Sequence, residues 1–131
     1  MRPSIRLAVC TFGGLLSGLI CYSLAASSAA SLPTPVIWQI IASRTLIGVA
    51  IGLSRFTFGH WAIHGAVLGA LFSLPLAFSG LMAPENPQFS ASAMFFSTVV
   101  MGVIYGFLIE LVVFALDRMR RAMTKPATAA G

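Results

Sequence analysis

Four apolar runs, each long enough to cross a lipid bilayer, make up most of this 131-residue chain. A transmembrane helix needs about 20 apolar residues, with a usual range of about 17 to 25. Backbone polar groups cannot be left unpaired in lipid, so we predict an all-α integral membrane protein with four transmembrane helices in a single domain, followed by a basic tail over residues 117–131. The four runs are Leu7 to Ala26, Val36 to Leu53, Trp61 to Met82 and Ala93 to Leu116.

The composition excludes an ordinary water-soluble domain. Hydrophobic residues make up 58% of the chain and charged residues only 8%, which is too few charges to cover a globule of this size. The net charge is +5. However, the basic residues flank the apolar runs and form no stripe with interleaved aromatic residues, so nucleic acid is not an expected partner.

The basic residues outside the apolar runs predict the orientation in the membrane. Because cytoplasmic loops are enriched in Lys and Arg, we predict a multi-pass protein of the cell inner membrane with both termini in the cytoplasm. A second interpretation stays open, in which the first run and the small residues Ala25 to Ala30 form a cleaved signal peptide. The basic residues lie in the N-terminus, the second loop and the tail, and they are Arg2, Arg6, Arg55, Arg118, Arg120, Arg121 and Lys125.

Each apolar run contains one pair of glycines four residues apart, the GxxxG spacing with which membrane helices pack closely. The first and third pairs are 51 residues apart (65 − 14) and the second and fourth are 54 apart (102 − 48). This suggests two tandem two-helix hairpins. Independent convergence on close packing explains the pairs equally well. The pairs are Gly14 and Gly18, Gly48 and Gly52, Gly65 and Gly69, and Gly102 and Gly106.

Two charged residues, Arg44 and Glu110, lie inside the apolar runs, and each continues a glycine pair at a spacing of four residues. A charge that faces hydrocarbon costs about 2.5 to 3.5 kcal/mol, so we expect both side chains between helices. Aligning the glycines puts Arg44 level with Thr98, about 18 Å from Glu110 along the helix axis. We therefore expect these two charges to have separate partners.

Glu110 is predicted to belong to a polar cluster with Arg55, His60 and His64 at the cytoplasmic side. His and Glu in a partly dry environment can titrate near neutral pH, so the cluster suits a proton relay or an ion-coupling site. The alternative is an interfacial belt of polar side chains beside Trp61. His60 and His64 have the i, i+4 spacing of metal ligands, but no further histidine completes a site. We predict no metal and no cofactor.

Arg44 has no acidic residue predicted at its own depth. We expect its side chain to extend toward the outer face, past Pro35 and Trp38. An anionic ligand or a lipid phosphate is one candidate partner. Backbone carbonyls, water or a neighbouring subunit are the others.

Pro75 lies inside the third run, where it frees the carbonyl of Leu71 and predicts a kink in the helix. Ser73 is placed to help solvate that carbonyl. A structural role is favoured over a gating hinge, because prolines are common in membrane helices.

No motif names a reaction or a substrate. Ser/His/Asp sets, Gly-rich phosphate loops and paired catalytic carboxylates are absent, so the protein is not predicted to be an enzyme. We expect a small transporter or channel subunit for a small solute or ion. The alternative is a non-catalytic accessory or assembly subunit of a larger membrane complex. Beyond membrane lipid, the glycine pairs favour a homo-oligomer or a partner membrane protein.

Overall fold

The chain forms four α-helices in the computed structural model, which describes residues 2–28, 33–54, 59–82 and 90–124. No strand occurs among these residues. All four helices are long and apolar enough to cross a membrane, as the four apolar runs predict, and they suggest a multi-pass membrane protein. The helices are α1 (Pro3–Ser28), α2 (Thr34–Leu53), α3 (Trp61–Leu81) and α4 (Ala91–Thr124).

Helix α1 begins four residues ahead of the first apolar run, at Pro3. Proline suits the first turn of a helix, because no partner is needed there for its nitrogen. The backbone N–H of Arg6 donates to the carbonyl of Arg2 at 3.1 Å, so the first turn is closed. As a result Arg6 is a helical residue whose side chain follows the face of α1.

Helix α4 continues beyond Leu116 to Thr124, so the first part of the predicted tail is helical. This extension is largely exposed and carries most of the charge of the helix. Arg121 donates to Asp117 one turn earlier, with 2.9 Å between Nε and Oδ2. Such a pair at i, i+4 supports a helix in water by a few tenths of a kcal/mol, about 0.2 to 0.5.

The helices pack as two antiparallel hairpins. α1 lies mainly against α2, and α3 lies mainly against α4. Between the hairpins, α2 packs on α3 more extensively than α1 packs on α4. The starts of α1 and α3 and the ends of α2 and α4 share one end of the bundle, which we name the basic end after its arginines.

In the first hairpin, α1 and α2 come closest at two glycines. A Cβ built on Gly48 would lie 2.9 Å from the carbonyl carbon of Cys10 and 3.0 Å from the Cα of Gly14. A Cβ on Gly14 would lie 2.6 Å from the carbonyl oxygen of Arg44. Because these neighbours are backbone atoms, any side chain at either glycine would separate the two helices.

The second hairpin repeats these contacts with other residues. A Cβ on Gly106 would lie 3.0 Å from both the carbonyl carbon of Gly65 and the Cα of Gly69. A Cβ on Gly69 would lie 2.9 Å from the carbonyl carbon of Gly102 and 3.2 Å from the Cα of Gly106. Gly106 thus faces the backbone of Gly65 and Gly69 in the way that Gly48 faces the backbone of Cys10 and Gly14.

The matching contacts give the equivalences between the hairpins. On α1 and α3 the offset is 55 residues (65 − 10 and 69 − 14), and on α2 and α4 it is 58 (102 − 44 and 106 − 48). Both values exceed the 51 and 54 expected from the glycine pairs by four residues, one helical turn. In this register Arg44 corresponds to Gly102, and Glu110 corresponds to Gly52.

The surface of the bundle is strongly apolar and its core is small. Large side chains such as Phe12, Trp38 and Phe96 are more than 60% exposed. An exposed apolar surface of this extent suits contact with lipid or with another protein and not with water. The buried apolar core consists of Cys10, Ile47, Ile51, Ile109 and Val113.

Pro75 lies inside α3, which is helical from Trp61 to Leu81. Ser73 does not solvate the carbonyl that the proline frees. Its hydroxyl donates instead to the carbonyl of Gly69 at 2.7 Å, the usual bond of a helical serine to the residue four positions earlier. The predicted role of Ser73 beside Pro75 is therefore wrong, and its hydroxyl has a partner elsewhere.

Candidate functional site

Two polar clusters lie within the bundle, and each takes residues from all four helices or their caps. The first, the Glu110 cluster, lies toward the basic end. The second, the Arg44 cluster, lies nearer the opposite end. The Glu110 cluster comprises Arg6, Ser54, His64 and Glu110, and the Arg44 cluster comprises Cys21, Arg44, Ser73, Thr98 and Tyr105.

Glu110 is 4% exposed and holds two cationic or potentially cationic partners through one carboxylate oxygen. Arg6 Nη2 donates to Oε1 at 2.7 Å, and Nδ1 of His64 lies 2.5 Å from the same atom. Arg6 Nη2 also lies 3.5 Å from the carbonyl oxygen of Ile51. The buried carboxylate therefore joins α1 and α3 to α4.

His64 links Glu110 to Ser54 through its two ring nitrogens. Nε2 of His64 lies 2.9 Å from the Ser54 hydroxyl oxygen, while Nδ1 faces the carboxylate. With neutral imidazole, one tautomer satisfies both bonds: Nδ1–H donates to Glu110, and Nε2 accepts from the Ser54 hydroxyl. The three side chains form a hydrogen-bonded series from the end of α2 to the buried carboxylate on α4.

Gly65 makes the space that Glu110 occupies. A Cβ on Gly65 would lie 2.9 Å from the Cγ of Glu110. The first hairpin has the reverse arrangement at the equivalent positions. Cys10 takes the place of Gly65, and Gly52 takes the place of Glu110. A Cβ built on Gly52 would lie 3.2 Å from the Cys10 Cβ. The carboxylate is thus housed by a glycine on the facing helix.

Arg6 is the member of this cluster that the sequence did not predict. It was assigned to the basic flank of the first apolar run, whereas the early start of α1 brings it into the bundle. A signal for it was present, because Arg6 precedes Cys10, Gly14 and Gly18 at a constant spacing of four. The same spacing singled out Arg44.

The predicted cluster is only partly assembled. His64 and Glu110 are brought together, and Arg55 lies outside the described residues. His60 is exposed at the start of α3, with its ring centroid 5.6 Å from that of Trp61. Trp61 in turn stacks on Phe114 of α4 at 5.0 Å. His60 therefore lies beside the aromatic side chains of Trp61 and Phe114 and not against the Glu110 carboxylate.

A cavity of about 450 Å³ opens beside the Glu110 cluster. Arg6 and Ser54 both line it, together with the first turn of α1 and the last turn of α2. The cavity therefore adjoins two residues that lead to the buried carboxylate, Arg6 directly and Ser54 through His64. The remaining lining residues are Pro3, Ser4, Leu7, Gly52 and Leu53.

Arg44 is only 1% exposed, and its neighbours are neutral groups. Nη1 donates to the Ser73 hydroxyl at 2.7 Å, and Nη2 donates to the Thr98 carbonyl at 3.4 Å and lies 4.0 Å from the sulfur of Cys21. The Arg44 Cζ lies 5.4 Å from the ring centroid of Tyr105, a cation–π distance. The backbone carbonyl that the sequence analysis left open as a partner is present.

The Arg44 side chain leans toward the start of α2 as expected but does not extend past Pro35 and Trp38. Its Cα corresponds to Gly102, and the side chain leans toward the start of α2, as helical side chains do. The guanidinium lies at the level of Thr98, one turn before Gly102 on α4. It is held there because the Ser73 hydroxyl and the Thr98 carbonyl accept its hydrogen bonds. Trp38, farther along the same direction, is 67% exposed.

An apolar layer separates the two clusters. On α4, Gly102 is level with the Arg44 Cα and lies eight residues before Glu110 (110 − 102), or about 12 Å along the axis, and Tyr105 of the Arg44 cluster lies between them. Ile47 and Ile51 of α2 and Ile109 of α4 fill the space between these levels, and all three are at most 5% exposed.

A groove of about 600 Å³ marks the looser seam between α1 and α4. Its walls are almost entirely apolar and include Phe12, Leu16, Leu108 and Val112. Tyr105 and Ser17 are its polar lining residues, and both are mostly buried. By the equivalence of the hairpins, this seam corresponds to the α2 and α3 seam, which is more closely packed.

The described part of the chain brings no three His, Cys, Asp or Glu side chains together as a metal ion requires. Comparison of the chain with protein-family models, with curated protein sequences and with solved structures finds no match.

Proposed function

We propose that the protein is a small transporter or channel subunit for a small solute or ion, and that the Glu110 cluster moves protons within it. One observation carries the proposal. The series Ser54, His64 and Glu110 runs by hydrogen bonds of 2.9 and 2.5 Å from a cavity to a buried carboxylate. Buried carboxylates and imidazoles in membrane helices are typical of proton relays.

The series can pass a proton without moving its heavy atoms. The Ser54 hydroxyl passes its proton to Nε2 of His64 and takes a replacement proton from the cavity, and the resulting imidazolium releases its Nδ1 proton to Glu110. The imidazole then carries its proton on Nε2 and donates it to the Ser54 oxygen. A flip of the ring, or return of the proton by the same route, restores the first tautomer. Arg6 holds the carboxylate in line with the imidazole.

The proposal includes the placement of the bundle in the membrane. The chain is a multi-pass protein of the cell inner membrane with its basic end in the cytoplasm, because basic residues gather at that end. The glycine contacts of each hairpin then act as GxxxG packing does in lipid. Reporter fusions that require a periplasmic or a cytoplasmic location, joined after Thr124 and within residues 83–89, test this orientation.

The apolar layer of Ile47, Ile51 and Ile109 closes the route in this conformation. Conduction then requires one hairpin to move against the other, as repeat-built transporters do. The two seams support such a motion, since α2 and α3 are the more closely packed pair and the α1 and α4 seam carries the 600 Å³ groove. In the alternate state the α1 and α4 seam closes and the α2 and α3 seam opens.

Proton flux into proteoliposomes tests the function directly. Purified protein is reconstituted around a trapped pH-sensitive dye, and a pH gradient is applied. Glu110→Gln keeps the size of the side chain and is expected to lower flux by about tenfold or more. Asp117→Asn, on the exposed extension of α4, is the matched control and keeps wild-type flux. Wild-type flux no higher than that of empty liposomes, or unchanged flux in Glu110→Gln, would contradict the proposal.

The second candidate, an accessory or assembly subunit of a larger membrane complex, is favoured by the apolar groove between α1 and α4. A groove of this kind accepts a transmembrane helix of a partner or of a second copy. Cysteine crosslinking from Leu108→Cys in native membranes tests it, with Phe96→Cys on another exposed face as the control. A specific adduct from position 108 supports this candidate, and equal crosslinking from both positions contradicts it.

A further inference from the structure

The charge of Arg44 is not balanced by any acid among the described residues. The chain contains three acidic residues. Glu110 is bound to Arg6 and His64, Asp117 is bound to Arg121, and Glu85 lies outside the described residues. The groups around Arg44 are a hydroxyl, a carbonyl, a thiol and an aromatic ring. They solvate the guanidinium and leave its net charge in place.

A buried cation without a counter-charge is unfavourable. Taking a charge out of water carries a desolvation penalty even after the surroundings relax, and this penalty is uncompensated when the opposite charge is missing. A guanidinium cannot relieve this by losing its proton, because it stays charged in proteins. The Glu110 cluster is an internal comparison: there Arg6 is partly exposed and has a carboxylate at 2.7 Å.

Two polar atoms at the Arg44 cluster also have no hydrogen-bond partner. They are the Nε of Arg44 and the hydroxyl of Tyr105, and both are buried. Both groups can donate a hydrogen bond, and Nε can only donate. The cluster therefore has a surplus positive charge and two unused donors. An anion supplies what both deficits require, whereas a water molecule would satisfy only the donors.

We propose that the Arg44 cluster binds a small monovalent anion of the size of chloride, nitrate or formate. The charge of the site limits the ligand to one negative charge. Its size is limited by close packing: Ser73 is fully buried, and a Cβ on Gly102 would overlap the Ser73 side chain. As a substrate class this inference rests on the proposed transport function, with the anion and the proton bound at separate levels of the bundle.

Anion binding is measured at equilibrium in detergent, without transport. The thermal unfolding midpoint is followed while sodium chloride, nitrate or formate replaces sodium gluconate at constant ionic strength. The wild-type protein is expected to show a saturable rise for at least one of the three anions. Arg44→Gln abolishes this rise, and Arg118→Gln, which alters an exposed arginine, retains it.

Tyr105→Phe keeps the test valid if Arg44→Gln fails to fold. It removes only the unpartnered hydroxyl, so the fold is retained, and it weakens anion binding about tenfold, the worth of one hydrogen bond to a charged group. Tyr22→Phe is the matched control and changes nothing. An absent response in the wild-type protein overturns the inference, as does an unchanged response in Arg44→Gln. Anion binding without proton flux would support the anion site and contradict the transport function. Proton flux without anion binding would support the transport function and contradict the anion site.

Discussion

The guanidinium of Arg6 lies 2.7 Å from the carboxylate of Glu110, although 104 residues separate the two along the chain. This pair is the strongest polar link between α1 and α4, whose seam is otherwise loose. It also fixes the position of the carboxylate that His64 contacts. At the basic end, an ion pair therefore links α1 of the first hairpin to α4 of the second.

Arg6→Gln should lower the free energy of unfolding by about 1 to 3 kcal/mol, because it leaves the buried Glu110 carboxylate with one partner fewer. The double variant Arg6→Gln/Glu110→Gln should recover part of this loss, since no unpaired charge remains. Thermal unfolding of the two single variants and the double variant in detergent forms a double-mutant cycle. Arg2→Gln is the control, and additive losses in the cycle would show that the pair is uncoupled.

Gly48→Ala should destabilise the first hairpin by about 2 kcal/mol or more, because its methyl group would overlap the carbonyl of Cys10. Gly80→Ala is the matched control: no atom lies within 4 Å of a Cβ at that position. It should be neutral or raise stability by up to about 1 kcal/mol, since alanine is the better helix former. Equal unfolding midpoints for the two variants would contradict the close approach of α1 and α2.

Arg44→Met should leave stability unchanged or raise it by up to about 4 kcal/mol when gluconate is the only anion present, because an apolar side chain replaces an unbalanced buried charge. The hydroxyl of Ser73 keeps its bond to Gly69 in this variant. Unfolding in a denaturant series measures the change. A loss above about 3 kcal/mol would instead mean that the hydrogen bonds of Arg44 hold the hairpins together.

Ser54 should not react with fluorophosphonate probes, even though Ser54, His64 and Glu110 follow the order of a Ser–His–acid triad. Acyl transfer also needs donors that stabilise an oxyanion, and the backbone N–H of the catalytic serine is a usual one. The backbone N–H of Ser54 already donates to Ala50 at 2.9 Å. Mass spectrometry after probe treatment checks this, and an adduct that Ser54→Ala removes would identify an enzyme.

The four helices and the two buried charges could be predicted from the sequence, because lipid leaves few alternatives. A run of about 20 apolar residues has one stable form in a bilayer. The spacing of four from glycine to Arg44 and to Glu110 was also sufficient to place both side chains between helices. These predictions depend on local pattern alone.

The partners of Glu110 could not be predicted in the same way, since they depend on where a helix starts and on how far it slides along its neighbour. Pro3 extends α1 by one turn and brings Arg6 to the carboxylate. The repeat register was one turn off because only glycines were matched. The contacts align Cys10 with Gly65 and Gly18 with Ser73, so small residues of several kinds fill equivalent places.

The two hairpins are equivalent in their backbone contacts but carry opposite buried charges at different positions. The first hairpin carries Arg44 where the second has Gly102, and the second carries Glu110 where the first has Gly52. Residues 1–54 contain no acidic residue at all. Two copies of the first hairpin would leave both Arg6 side chains without a carboxylate, and two copies of the second would bury two carboxylates without Arg6. Each half is therefore a poor partner for itself and a good one for the other, so that the halves, expressed as separate chains, should assemble only as an unlike pair.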